Sequence, residues 1–322
     1  MCESVSKELM MKKVLLLYNP ASGQRRAKRA ELMSRVAGVF RAAGMQVEQC
    51  ATTHTGSAVE QTQQAAAAGF DAVVACGGDG TANEALNGLM LSGSNAALGV
   101  VPLGSGNLLA TDLRLPKNPL TAAEALLRYS PREIHPGIII SHDNSGPQRR
   151  YFLVAAGVGA DADLMYRTAV EVKERWGRKA YFIEMARMTL RRHFPMFSVE
   201  WADANGIRRT EKIALAMAIR AQQFPGILRR VRLGSELTRN EYRLMLFKTD
   251  QVRHFLNYFA SVASGFNWRV RDVEVVASNW FRCTPLKPSP FPKIHAEADG
   301  ELLGRLPVEV SIAEKTFRLL MP

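Results

Sequence analysis

One acid stands among glycines in this chain. Gly77-Gly78-Asp79-Gly80-Thr81 places a single carboxylate between three glycines and beside a hydroxyl. Glycine has no Cβ and tolerates positive φ, so such a turn lets main-chain N–H groups close on a ligand. The guest that suits it is an anion, most often a phosphate. An acid in that setting opposes the phosphate unless a metal ion, a water network or a reacting hydroxyl shares the site. The chemistry indicated is phosphate handling beside a cation or an alcohol. Neither GxxxxGK[ST] nor GxGxxG describes the segment. Three glycines alone would favour a plain strand-to-helix turn; Asp79 and Thr81 shift the balance toward a working site.

The flanking residues supply the elements such a turn needs. Asp71 to Cys76 (DAVVAC) reads as a short buried strand. After Thr81 the apolar residues fall at Ala82, Ala85, Leu86, Leu89 and Met90, which is helical spacing. The helix points its free N–H groups and positive dipole end into the turn. The whole stretch, GGDGTANEALNGL, resembles the GGDGTxNExxNGL signature of the diacylglycerol-kinase-like lipid kinases, which include sphingosine, ceramide and bacterial lipid kinases. NAD kinases and phosphofructokinases share a related GGDG turn, so this stretch leaves the acceptor open.

Bulk properties set the frame. The 322 residues suit two domains, and 47% hydrophobic residues suffice for substantial cores. No apolar run has the length needed to cross a bilayer, and the first residues lack a secretory pattern, so a cytoplasmic location is expected. Cys2, Cys50, Cys76 and Cys283 are far apart, which supports neither a zinc site nor a disulfide framework. A net charge of +12 attracts nucleic acid, anionic lipid or phosphorylated ligands without choosing among them.

The first half alternates strands and helices. Val14 to Tyr18 reads as a buried strand ending in Asn19-Pro20-Ala21-Ser22-Gly23, followed by a basic helix over 24–43. A strand near 45–50 leads to a polar turn, Thr52 to Gly56, and an alanine-rich helix over 57–69. Ser57 with Glu60 fits a capping box. Ala97 to Val101 is another buried strand, running into a second glycine turn, Gly104-Ser105-Gly106-Asn107, and a helix. Two such turns at the ends of parallel strands face one crevice. NPASG, the order Thr52–Gly56–Ala58, and PLGSGNLLA are similar to the family's nucleotide-binding segments. Leu108 departs from the aspartate of many bacterial diacylglycerol-type kinases and brings the segment closer to the sphingosine and ceramide kinase branch.

The second half reads as β-rich and antiparallel. Expected strands include 134–140, 151–155, 197–202, 213–219, 242–247, 269–276, 280–284 and 308–312, with helices over 171–193 and 251–265. Asp299-Gly300 reads as a tight hairpin turn. Basic clusters at Arg187–His193 and Leu228–Arg232, each beside apolar residues, suit an anionic bilayer surface or a solvated face.

The resemblance implies an α/β N-terminal domain, mostly parallel and of the phosphofructokinase/NAD-kinase kind, over residues 12–130, and a β-rich lipid-acceptor domain over 131–322. It implies phosphoryl transfer from ATP with Mg²⁺ to the hydroxyl of a diacylglycerol- or sphingoid-type lipid. Asn19, Ser22, Gly23, Thr52, Gly77, Gly78, Gly80, Thr81, Glu84, Gly104, Ser105, Gly106 and Asn107 map onto the nucleotide site. Asp79 would orient Mg²⁺ through water or position the hydroxyl. The DGE segment would bring a carboxylate base to the cleft, Glu301 or failing that Asp299. Arg239 stands near the position where bacterial relatives carry an aspartate for a structural magnesium ion, so that site does not carry over. Expected partners are a lipid substrate, a peripheral anionic membrane surface and no nucleic acid, with an edge strand that could pair two copies. Rival readings are an NAD kinase-like enzyme and a non-catalytic, membrane-docking nucleotide sensor.

Overall fold

The structure, a computed structural model, describes residues 11–20, 28–104, 106–143, 146–159, 193–203, 206–222, 234–264, 272–287 and 294–322. Strands β1 (Lys13–Tyr18), β2 (Gln46–Ala51), β3 (Ala72–Gly77) and β4 (Ala97–Pro102) alternate with helices α1 (Arg29–Ala42), α2 (Ser57–Ala67) and α3 (Asp79–Ser92). The strands run parallel in the order β2-β1-β3-β4. β3 and β4 are buried along their whole length, as expected of strands covered by helices on both faces. The chain places β2 on one side of β1 and β3 on the other. Ligands of open α/β sheets bind beyond the carboxyl ends of the strands at such a reversal.

Helix α3 begins at Asp79 itself, three residues before Ala82, where its apolar spacing starts, and is buried all round from Thr81 to Met90. Helix α2 crosses it at Gly88, where a Cβ would lie 2.6 Å from the Val59 carbonyl oxygen and from Thr62 Cβ. Two short helices follow, α4 (Leu108–Asp112) and α5 (Pro119–Leu126).

Two further strands complete the six-stranded sheet. β5 is Ser130–Ile134, and β17, Phe317–Met321, inserts between β4 and β5, parallel to the first and antiparallel to the second. The first sheet therefore draws nearly all of β5, and the whole of β17, from the stretch assigned by sequence to the second domain. FRLLM is apolar like any buried strand, and nothing in its composition says which sheet it joins.

The second sheet has eleven strands, all paired antiparallel. They are β6 (Gly137–Asp143), β7 (Gly146–Phe152), β8 (Ala155–Gly159), β9 (Phe197–Ala202), β10 (Arg208–Ile213), β11 (Leu215–Ile219), β12 (Tyr242–Phe247), β13 (Val273–Ser278), β14 (Trp280–Pro285), β15 (His295–Ala298) and β16 (Glu301–Ile312). Helix α6 (Val252–Ser264) sets Phe255 and Tyr258 against Phe247 with ring centroids 5.2 and 5.1 Å apart. The α/β domain with a mostly parallel sheet and the antiparallel β-rich part are thus as the sequence indicates. The basic segments 187–192 and 228–232, and all but His193 of the helix expected over 171–193, lie outside the described residues. No helix among the described residues is long and apolar enough to cross a membrane.

Candidate active site

The carboxyl ends of β1 to β4 gather the predicted residues on one edge of the sheet. Asn19 follows β1. Thr52 follows β2, and its N–H donates to the Tyr18 carbonyl at 2.8 Å, which sets the two turns side by side. Gly77 ends β3, and Gly104 follows β4. Ser22, Gly23 and Ser105 lie outside the described residues.

The two glycine turns touch. The N–H groups of Leu103 and Gly104 both donate to the Gly77 carbonyl, at 2.8 and 3.2 Å. Asn107, at φ 53°, closes the second turn: its Oδ1 accepts from Gly104 N at 3.0 Å and its Nδ2 donates to Gly104 O at 2.8 Å. A Cβ on Gly104 would stand 2.5 Å from Gly78 Cα, whereas one on Gly78 would meet Gly104 Cα at 3.4 Å, ordinary contact. The asymmetry gives a test by calorimetry. Gly104→Ala must push the turns apart and should lower stability by about 1–3 kcal/mol, while Gly78→Ala should change it little. Gly77 is equally confined, since its Cβ would fall 2.4 Å from Thr81 Oγ1. Thr81 packs beneath the turn, 8% exposed.

Asp79 joins the turns. Its Oδ1 accepts the Leu109 N–H at 3.1 Å, in the first turn of α4, while Oδ2 faces Gly106, where a Cβ would come within 3.0 Å. Burial pushes this carboxyl up from its ordinary value, against the N–H groups of residues 107 to 109 that favour its charge. Leu108 begins α4 and packs on the first core.

The polar residues of α3 fasten other segments. Glu84, predicted on the nucleotide, accepts from Gly56 N at 2.9 Å and Ala58 N at 3.1 Å. It caps α2 and holds the turn after Thr52, so its carboxylate is spent on the protein. It also replaces the expected capping box: Ser57 Oγ instead accepts from Thr53 N at 3.0 Å inside the turn. Asn87 reads both sides of the Tyr151 backbone on β7, accepting its N–H at 2.9 Å and donating to its carbonyl at 3.1 Å. Asn83 donates to the same carbonyl at 2.9 Å and to Asp299 Oδ2 at 2.9 Å. These tethers were legible in principle, because buried asparagines at i and i+4 on an apolar helix must find partners.

Asp299 is the correction with most chemical weight. It occupies the predicted hairpin turn at φ 48°, between β15 and β16. Its Oδ2 accepts from Asn83 Nδ2 and Leu153 N, both at 2.9 Å, and its Oδ1 from Val154 N and Ala155 N at 2.8 and 3.0 Å. Every lone pair is used, so Asp299 holds the second sheet to α3 and is not placed to take a substrate proton. Glu301, two residues on, is differently placed. Its Oε1 lies 3.4 Å from where a Cβ of Gly80 would be, and its Oε2 is 3.2 Å from Arg150 Nη2 on β7. The structure therefore brings Asp79 and Glu301, 222 positions apart in sequence, to the same helix start.

Two basic residues escaped the sequence reading. Arg150 is one. Arg220, fully buried after β11, is the other: its guanidinium donates to the carbonyls of His135, Leu237 and Arg239. Arg239 itself pairs with Glu236 and Glu241 at 3.8 and 3.5 Å. No group of three or more His, Cys, Asp or Glu suited to a metal occurs among the described residues. Asp79 is one carboxylate beside a phosphate-type turn, a donor set that fits an Mg²⁺ ion keeping most of its water and sharing phosphate oxygens.

Residues 13–139 match the family model described as diacylglycerol kinase catalytic domain. A diacylglycerol kinase of Bacillus subtilis is 26% identical over 313 residues, covering 97% of each chain. One from Staphylococcus carnosus is 28% identical over 179 residues, 56% of this chain and 55% of that protein. A crystal structure of a diacylglycerol kinase from Bacillus anthracis superposes with a TM-score of 0.73 at 18% identity, covering 98% of this chain and 99% of that one. At that identity the structural likeness speaks for the fold.

Proposed function

We propose that the chain, whose residues 13–139 match the diacylglycerol kinase catalytic domain and which is similar over its length to a diacylglycerol kinase of Bacillus subtilis, is a lipid kinase of that family and moves the terminal phosphoryl group of ATP, with Mg²⁺, to the hydroxyl of a diacylglycerol- or sphingoid-type lipid. The observation that carries the reading is Glu301, delivered from the second sheet to the Gly80 backbone at the start of α3. Residues 12–130 form the nucleotide-binding part of this proposal and 131–322 the acceptor part, with β17 lent back to the first sheet. The protein acts at the inner membrane surface as a peripheral enzyme.

The N–H groups around Gly77 to Thr81 and the dipole of α3 bind the phosphates. Asn19, Thr52 and the Gly104–Asn107 turn border the nucleotide, together with Ser22 and Gly23. Asp79 is the residue that would hold Mg²⁺. The ion, when bound, neutralises charge on the transferring phosphoryl group. Glu301 takes the proton of the lipid hydroxyl as its oxygen forms the new P–O bond and ADP departs. Such catalysis is mostly positioning and charge stabilisation.

The test is transfer of label from ATP with Mg²⁺ to a lipid panel in mixed micelles, with NAD included and Asp79→Asn in parallel. The expected result is a labelled lipid, reduced by about 10²–10³ in the variant. Label on NAD would instead make the enzyme an NAD kinase, and bound ATP without any product would favour a sensor. The variant should remain folded by thermal melt. Burial raises the Asp79 carboxyl above its unfolded value, so its ionisation costs stability as pH rises through that raised value; Asn removes that cost but gives up part of the acceptance from the N–H groups of residues 107 to 109, and the two effects oppose each other.

A further inference from the structure

We propose that Arg150 is the positioning residue for Glu301, aiming the carboxylate at the phosphate turn. The proposal rests on the kinase reading above and extends it to a residue outside the nucleotide-binding domain.

The two side chains meet at 3.2 Å, Arg150 Nη2 to Glu301 Oε2, with 28% and 22% of their surfaces exposed. An ion pair this accessible adds little to stability, so stability is a poor account of it. Its geometry says more. One oxygen of Glu301 is on the guanidinium; the other points to the backbone of Gly80. A glutamate at the mouth of a cleft samples several rotamers. An arginine on one oxygen selects the rotamer that presents the other.

Both partners are mounted on the helix that carries Asp79. Arg150 precedes Tyr151, whose N–H and carbonyl are both held by Asn87. Glu301 follows Asp299 by two residues, and Asp299 is held by Asn83. Asn83 and Asn87 are one turn apart on α3. The pair therefore sits at a fixed height above the phosphate turn, and Arg150 restrains the torsion of the Glu301 side chain. Misplacing a reacting group by about 1 Å can cost on the order of a hundredfold in rate.

The experiment compares Arg150→Met, Arg150→Lys and Glu301→Gln singly, and Arg150→Met combined with Glu301→Gln, measuring kcat, both KM values and thermal midpoints. Arg150→Met should lower kcat by about 10- to 100-fold, with KM for ATP and for lipid within about threefold. Arg150→Lys should recover part of the loss, since a point charge keeps the attraction without the planar fork. In the Glu301→Gln background, Arg150→Met should have little further effect, because the two act as one unit. An Arg150→Met enzyme with parental kcat overturns the proposal. So does a tenfold rise in KM for ATP at unchanged kcat, which would place the guanidinium on the nucleotide. A loss of equal size in the Glu301→Gln background overturns it as well. A fully active Glu301→Gln protein would instead remove the base assigned under the kinase reading, a separate failure that the single variant identifies.

Discussion

Glu301→Gln should lower turnover by about a thousandfold while leaving the protein folded and KM for ATP nearly unchanged. The exchange keeps size and hydrogen-bonding reach but removes the proton acceptor. Glu301 stands at the first residue of β16, with its side chain only 22% exposed and facing the Gly80 backbone. The hairpin beneath it does not depend on its charge, because the turn is held by Asp299 and by Glu297 Oε2, which accepts from Gly300 N at 3.0 Å. Steady-state kinetics with a thermal melt in parallel checks this. The neighbouring substitution Asp299→Asn should behave differently. An amide must turn an N–H₂ toward donors that now meet oxygen, so both stability and activity should fall together. If Glu301→Gln keeps parental turnover, the base lies elsewhere.

Arg220→Met should destabilise the fold by about 3–5 kcal/mol, since each buried carbonyl left without its donor costs about 1–3 kcal/mol. The side chain is fully buried, and its guanidinium ties the carbonyls of His135, Leu237 and Arg239. Burial brings it down to about 10, opposed by the charge of Asp299. Methionine fills much of the volume but donates nothing, and three carbonyls lose their donor. A drop in thermal midpoint of roughly 10 °C is expected for a chain of this size, measurable by calorimetry. Arg220→Lys should recover only part of it, since one ammonium cannot span the same carbonyls. An unchanged midpoint in Arg220→Met would show that the network contributes nothing net.

The strand–turn–helix unit around Asp79 was legible because local rules fix it: an apolar run, glycines at a close approach, then helical spacing. Asp299-Gly300 was legible as a hairpin for the same reason, a two-residue turn with positive φ at both positions. What the sequence could not show is long-range. The carboxylate of Asp299 is set by N–H groups about 145 residues away and by Asn83, 216 away. Glu84 looks like part of a ligand motif, yet its two acceptors serve α2. The apolar spacing of α3 suggests one buried face, and the helix is buried on all sides because the second sheet covers what would otherwise be its polar face. Local pattern reports what a residue can do; the partner that claims it is decided by topology.

The insertion of β17 beside β4 has a consequence for how the molecule is made. Leu319 pairs with Leu98, and both are fully buried. The first sheet is therefore not finished when its own consecutive strands have been made; an interior position stays vacant until residues 317–321 arrive. A contact spanning more than 200 residues closes slowly, because the loop entropy must be met before the pairing rewards it. Assembly of the six-stranded sheet is thereby timed by residues 317–321, which follow the last strand of the eleven-stranded sheet. A fragment stopping near residue 130 would expose the apolar edge of β4 and be prone to associate through it.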